Sequence, residues 1–194
     1  MPLFVRDNDM SMLNVTLPDG TVKEVPVGTT PLDVARSIGE GLARQTVAAY
    51  FGDDLVDASR PIESDVSLRL VTLNTPEGLE IYRHSTAHLM AHAVKELFGR
   101  EVQVTIGPAI ESGFYYDFYS DTHTFSPEEF DKIEQTMADL AKETLPIERQ
   151  VVKSAEAIKL FNEMGEDYKV ELIEDLDVEE VTLYRQGTFV DLCR

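Results

Sequence analysis

The sequence predicts a mixed α+β fold built as two modules, and three observations carry that prediction. About sixty residues beyond the first ten run strand, strand, helix, strand, strand, with turn residues between them. After Asn74-Thr75-Pro76 the pattern changes to long segments of helical spacing separated by short strands. The chain's 194 residues and 43% hydrophobic composition allow two small domains or one large one, each with a real core. The expected division is a leader over 1–10, a first domain over 11–73 and a second over 74–194.

In the first module, Leu13-Asn14-Val15-Thr16-Leu17 alternates apolar and polar as a half-buried strand does, and Pro18-Asp19-Gly20 supplies the turn. Val22, Val25 and Val27 continue a second strand. Thr30 before Pro31 is an N-cap followed by proline at the first helical position. Leu32, Val34, Ala35 and Ile38 form the buried face of a short helix, which Gly39 and Gly41 should stop. Val47 to Phe51 and Gly52 to Val56 read as a strand and hairpin, and Ser67 to Val71 closes the unit. One helix across a small mixed sheet is the expected arrangement.

In the second module, Leu79, Tyr82, Ala87, Leu89, Met90, Ala93, Val94, Leu97 and Phe98 keep helical spacing up to Gly99, a natural helix stop. Val102 to Thr105 reads as a strand, Ile106-Gly107-Pro108 as a turn, and Glu111 to Phe118 as an aromatic strand. Ser126-Pro127-Glu128-Glu129 is a capping box, with its helix running to about Glu143. A strand over Ile147 to Val152 follows, then a helix capped by Ser154 and ended by Gly165. Tyr168 to Ile173 alternates as a strand does. Val181 to Tyr184 and Thr188 to Leu192 form a closing hairpin around Gln186-Gly187. The run Glu171 to Glu180 holds six acids in ten residues, a solvated face without the spacing of a calcium loop.

Composition excludes several function classes. With 17 Lys and Arg against 36 Asp and Glu, the net charge is −19, which repels polyanions and excludes a free-standing basic-patch nucleic-acid binder. The single cysteine, Cys193, allows no internal disulfide. No apolar run approaches the roughly 20 residues of a membrane span, and Met1 to Met10 lacks the order of a signal peptide. No membrane partner and a cytoplasmic location are therefore expected.

The chemistry concentrates in Arg83-His84-Ser85-Thr86-Ala87-His88-Leu89-Met90-Ala91-His92, where three of the four histidines recur at i, i+4 and i+8. On a helix that spacing aligns the imidazoles along one stripe, and histidine titrates nearest neutral pH. The stripe departs from the deepest apolar positions, so it should line a groove, with His92 closer to the core. His123 falls in a polar loop and should be solvated. A zinc protease needs glutamate directly after the first histidine, and Ser85 stands there instead. A structural zinc set of His84, His88 and Cys193 leaves at most three visible ligands. A cysteine nucleophile at Cys193 lacks any sequence sign of a lowered pKa. A third option uses histidines and a lysine to activate water against an ester.

Two resemblances bear on this choice. Leu17-Pro18-Asp19-Gly20, Gly28 with Thr30-Pro31-Leu32-Asp33-Val34-Ala35, and Leu55-Val56-Asp57 resemble the ubiquitin-like TGS domain, a β-grasp adaptor module. His84-Ser85-Thr86-Ala87-His88 and Asp191-Leu192-Cys193-Arg194 resemble the HxxxH … DxCRGPH pattern of threonyl-tRNA synthetase editing domains. Ile106 to Asp117 and Asp167-Tyr168-Lys169-Val170 also look like that family, so the likeness runs over about residues 11–194. Alanyl-tRNA synthetase editing domains share the HxxxH and cysteine elements but do not normally follow a TGS domain.

The resemblance implies a small β-grasp domain followed by a larger α+β editing domain with a mostly antiparallel sheet and flanking helices. It implies hydrolysis of the seryl ester of mischarged tRNA(Thr). His84 would activate or orient water, and Lys169 would stabilise the oxyanion or protonate the leaving ribose oxygen. Tyr116 and Asp191 would hold the serine moiety or the terminal adenosine, and His88 and Cys193 would complete the pocket wall. No metal is implied in this pocket, and no cofactor for these residues. ATP, magnesium and a zinc ion would belong to a synthetase core that this sequence lacks, and the Gly-Pro-His of the pattern lies beyond Arg194. The implied partners are the acceptor end of tRNA(Thr) and the rest of a synthetase chain, in a homodimer. A free-standing editing factor acting in trans, and an inactive TGS adaptor, are the alternatives.

Overall fold

The computed structural model describes residues 11–193; the leader over 1–10 and Arg194 of the terminal motif lie outside the described residues. The chain divides into two compact units, Met1–Tyr82 and Arg83–Arg194.

In the first unit, β1 (Met12–Thr16) and β2 (Val22–Pro26) form a hairpin whose turn closes with Leu17 N–H donating to Thr21 C=O at 2.8 Å. Gly20 adopts φ +83 there, a conformation that glycine reaches without steric penalty. Helix α1 (Pro31–Ile38) starts at a complete capping box: Thr30 Oγ1 accepts the Asp33 N–H at 3.1 Å, and Asp33 accepts the Thr30 N–H at 3.1 Å. The glycines expected to stop α1 instead join it to a second helix, α2 (Glu40–Gln45). Gly39 N–H bonds back to Ala35 C=O, and Gly39 C=O accepts from Leu42 and Ala43. One residue therefore ends one helix and begins the next, and Gly41 sits in a first turn whose amides have no intrahelical partners.

Strands β3 (Thr46–Phe51), β4 (Asp54–Asp57) and β5 (Val66–Thr72) complete a five-stranded sheet in the order β2-β1-β5-β3-β4. The β1–β5 pair is parallel and the others antiparallel, so the sheet is mixed, as the sequence predicts. Val15, Val34, Ala49, Val56, Ile62 and Leu68 fill the space between sheet and helix. Each such aliphatic side chain contributes about 1.5–3 kcal/mol by leaving water.

Helix α3 (Pro76–Phe98) opens where Thr75 Oγ1 accepts the Gly78 N–H at 3.1 Å. Its later part lies in the second unit, where Ala93 and Val94 pack with Val102 and with Ile133 and Leu140 of α4 (Pro127–Lys142). The Ser126–Glu129 capping box of α4 is present. Strands β10 (Ile147–Lys153), β11 (Glu180–Gln186) and β12 (Phe189–Cys193) form an antiparallel sheet in that order. Helices α5 (Ser154–Met164) and α6 (Asp167–Leu176) cover it through Ala157, Phe161 and Ile173 against Val181, Leu183, Val190 and Leu192.

Several sequence expectations are corrected here. Tyr168 to Ile173 is helical: Lys169 and Ile173 are the buried positions, four apart, and Leu176 packs one turn on, a helical period that a short alternating run disguises. The single aromatic strand is two, β8 (Gly113–Phe114) pairing with β7 (Ala109–Ile110) and β9 (Phe118–Tyr119) pairing with β6 (Gln103–Val104). A two-residue turn at Glu111-Ser112 folds β8 back, which leaves Tyr116 between strands. Ser154 is the first residue of α5 rather than its cap, its hydroxyl donating to Val178 C=O. His123 is not solvated: its ring packs 4.5 Å from that of Phe98, and Nε2 lies 3.3 Å from Glu129 Oε1. Among the described residues no helix is long and apolar enough to cross a membrane.

The capping box gives a direct check. Thr30→Ala should lower stability by about 1 kcal/mol, read as a lower urea midpoint, because the Asp33 amide loses its acceptor. An unchanged midpoint would show that water replaces the cap at no loss.

Candidate functional site

The site arises from a match between two repeats. Residues four apart on a helix rise about 6.0 Å, and residues two apart on a strand rise about 6.8 Å. His84, His88 and His92 on α3 therefore meet Cys193, Asp191 and Phe189 of β12 in turn, the two elements running in opposite directions. His84 Nε2 lies 3.0 Å from Cys193 Sγ. His88 Nδ1 lies 2.7 Å from Asp191 Oδ2. His92 stacks on Phe189 with ring centroids 5.0 Å apart. The intervening Val190 and Leu192 face the opposite side, into the core with α5 and α6.

Asp191 is 1% exposed and serves as the centre. Its Oδ2 accepts from the Tyr116 hydroxyl at 2.6 Å as well as from His88, and its Oδ1 pairs with Lys169 Nζ at 2.6 Å. Lys169, 3% exposed, also donates to Tyr116 Oη at 3.2 Å. His88 Nε2 reaches His84 Nε2 at 2.9 Å. All six residues that the sequence reading singled out thus form one connected network, with Lys169 and Asp191 buried and His84, His88 and Cys193 half-buried. Two surface hollows of about 200 Å³ each are lined by other residues.

The supports of this network escaped the sequence reading. Tyr116 lies flat against Gly107, where a Cβ would overlap the ring, so the turn at Ile106-Gly107-Pro108 needs glycine for closeness of approach. Tyr184 of β11 stacks beside His88 with centroids 6.5 Å apart. His92, 2% exposed, lies 3.3 Å from Gln186 Oε1 and takes no part in the network. The alternation of β11 marks which of its residues share a face, but nothing in the sequence shows that this face reaches His88.

The electrostatics follow from burial set against partners. Burial pushes the Asp191 carboxyl up, but the Lys169 cation and the His88 hydrogen bond outweigh it and hold the pKa at about 2. Burial lowers His88, yet the Asp191 hydrogen bond, with Cys193, raises it to about 9. Burial raises the Cys193 thiol, and hydrogen bonds with His84 and His88 bring it down to about 7. Burial and the Asp191 charge push the Tyr116 phenol far up, so it remains a neutral donor. Near neutral pH, His88 is therefore an imidazolium that donates from Nδ1 to Asp191.

Ligand atoms of His84, His88 and Cys193 all lie within 4.8 Å of one another, the one group of this kind among the described residues. Zinc would spread tetrahedral nitrogen ligands to about 3.3 Å and nitrogen–sulfur pairs to about 3.6 Å. The contacts at 2.9 and 3.0 Å are tighter, at hydrogen-bond spacing. The Asp191–His88 contact nevertheless has the carboxylate–imidazole form that orients metal-binding histidines. Without a metal, the arrangement offers a proton acceptor at its half-exposed end and a buried ammonium–hydroxyl–carboxylate chain behind it.

The first unit's mixed sheet with its capped helix is similar to the TGS domain, whose family model matches residues 13–72. Over nearly its whole length the chain is also homologous to the N-terminal region of threonine–tRNA ligases. It is 61% identical over 185 residues to the threonine–tRNA ligase of Syntrophotalea carbinolica and 56% identical over 185 residues to that of Geobacter sp.. The threonine–tRNA ligase of Coxiella burnetii is 52% identical over 184 residues. These alignments cover 94–95% of this chain but 28–29% of the relatives, so it spans less than a third of their length.

The shifted groups make opposite contributions to stability. His88, raised from 6.5, stabilises fully below pH 6.5 and loses that contribution as pH rises toward about 9. Cys193, lowered from 9.0, gains its contribution as pH rises past about 7. The two offset one another between pH 7 and 9. Cys193→Ser should therefore uncover a urea midpoint that falls as pH rises through this range, with NMR placing the His88 titration well above 6.5. A pH-independent midpoint in that variant would refute the assignment.

Proposed function

We propose that this chain hydrolyses the seryl ester of mischarged tRNA(Thr) while sparing the threonyl ester, as the proofreading part of a threonine–tRNA ligase. One observation carries the reading: His84, His88, Tyr116, Lys169, Asp191 and Cys193, drawn from four separate segments, join in a single hydrogen-bonded network. Homology to threonine–tRNA ligases supports the substrate class.

The physical need for such a site is direct. Serine lacks one methyl group of threonine, and a difference of that size discriminates by only about 1–3 kcal/mol in a binding pocket. A synthetic pocket that admits threonine cannot exclude serine. A second pocket can exclude threonine by steric overlap with its methyl.

In this mechanism water attacks the ester carbonyl carbon while His84 serves as its proton acceptor, the His88 hydrogen bond at Nε2 giving way to the water. His88, held protonated by Asp191, orients the His84 ring. The Lys169 ammonium and the Tyr116 hydroxyl provide the positive end of the site for the developing oxyanion, and Lys169 can pass a proton to the departing ribose oxygen. Asp191, buried behind them, fixes both, and Cys193 walls the pocket. The rest of a ligase chain would bind ATP and threonine, and the working enzyme would be a cytoplasmic homodimer that receives the acceptor end of tRNA(Thr). A chain with net charge −19 gains little from the phosphate backbone, so most tRNA affinity would reside in that other part.

The test is to follow Ser-tRNA(Thr) and Thr-tRNA(Thr) separately in the presence of the protein. Seryl ester should disappear faster, and His84→Ala should slow that loss by at least about a hundredfold while the thermal transition stays near wild type. Equal lifetimes of the two esters would overturn the proposal. Retained activity with a large loss of stability in His84→Ala would remove His84 from the catalytic role.

A further inference from the structure

A second buried carboxylate lies behind the network. Glu166 is 2% exposed and immediately precedes α6. Its Oε1 pairs with Lys95 Nζ at 2.5 Å, and its Oε2 accepts the Val104 N–H at 2.7 Å. Lys95 Nζ also donates to Val102 C=O at 2.8 Å. The Glu166 carbonyl in turn accepts the Lys169 N–H at 3.0 Å and the Val170 N–H at 3.2 Å. One residue is thus tied through its side chain to α3 and β6, and through its backbone to the first turn of α6.

The Asp191 network draws on the same three elements. His88 stands on α3, two turns before Lys95. Lys169 stands on α6, one turn beyond Glu166. Tyr116 lies in the segment pinned to the β6 side, where the Thr105 N–H donates to Asp117 C=O at 3.1 Å and Val104 pairs with Phe118. The Glu166 charge is close enough to add to the upward push on the Tyr116 phenol. An apolar pair of similar volume would fill this space without the desolvation penalty of two ions. What the ions supply is direction: three charge-assisted bonds fix the elements at set distances.

We infer that Glu166 is a positioning residue, its carboxylate locking the first turn of α6 to Lys95 and the Val104 amide so that Lys169 Nζ meets Asp191 and Tyr116. The chemistry it serves rests on the editing reading above; the geometry stands without it.

The test uses the full chain with E166Q, the charge-free pair K95M/E166Q, K169A and E166Q/K169A. On Ser-tRNA(Thr), E166Q and K95M/E166Q should each lower turnover roughly tenfold to a hundredfold with KM within about two-fold, the loss expected of a misplaced group. E166Q should add no further loss in the K169A background, because Glu166 acts through that lysine. The heteronuclear NMR signal of the Lys169 ammonium should move toward that of exposed lysines in both Glu166 variants. K95M/E166Q leaves no unpaired buried charge, so its cooperative melt should persist if E166Q alone unfolds. An unmoved lysine signal, or the same fold-loss with and without Lys169, would overturn the inference. If the wild-type chain spares the seryl ester, the editing reading falls, and the lysine signal alone decides the positioning role.

Discussion

The site depends on a coincidence of lengths between α3 and β12. Four helical residues and two strand residues advance by nearly the same distance, so three successive side chains of each element can meet without bending either. The upper two meetings are chemical, His84 with Cys193 and His88 with Asp191, and the third is the His92–Phe189 stack. Over three rungs the mismatch stays below about 2 Å, within the reach of side-chain rotamers. A fourth rung would be harder to keep in line.

Within that frame Asp191 is the residue on which charge balance turns. It is almost fully buried, yet it stays ionised because Lys169 and His88 approach it from different elements and Tyr116 donates to it as well. His88 and Tyr116 are in turn kept in their donor forms by the carboxylate. The consequence is a division of labour between the two histidines. His88 is fixed as a cation near neutral pH, while His84 stands at the half-exposed end against Cys193.

Much of this was legible in the sequence because it is local. The Thr30–Asp33 and Ser126–Glu129 capping boxes, the Pro18-Asp19-Gly20 turn and the closing hairpin each depend on a few neighbouring residues whose chemistry is specific. The histidine stripe was legible for the same reason, since i, i+4 spacing has one geometric meaning on a helix. The failures came where local patterns carry two meanings. Tyr168 to Ile173 satisfies both strand alternation and a helical period, and only packing against the β10-β11-β12 sheet selects the helix that carries Lys169. Gly39 and Gly41 read as a stop, and the carbonyl of Gly39 starting a new helix could not be seen. Glu166 carries no local signal that sets it apart from other acids, and its burial against Lys95 is a long-range fact. The six site residues were found by family resemblance together with spacing; their mutual contacts required the fold.

The His92–Phe189 rung has a further consequence for laboratory evolution. It aligns helix and strand by ring stacking beside the His92–Gln186 contact, apart from the network above it. Positions 84 and 193 can therefore be randomised together as a facing couple without loosening the alignment. New pairings at that mouth, such as two carboxamides or a serine against an aspartate, would inherit a ready-made scaffold on which other ester or amide specificities could be selected.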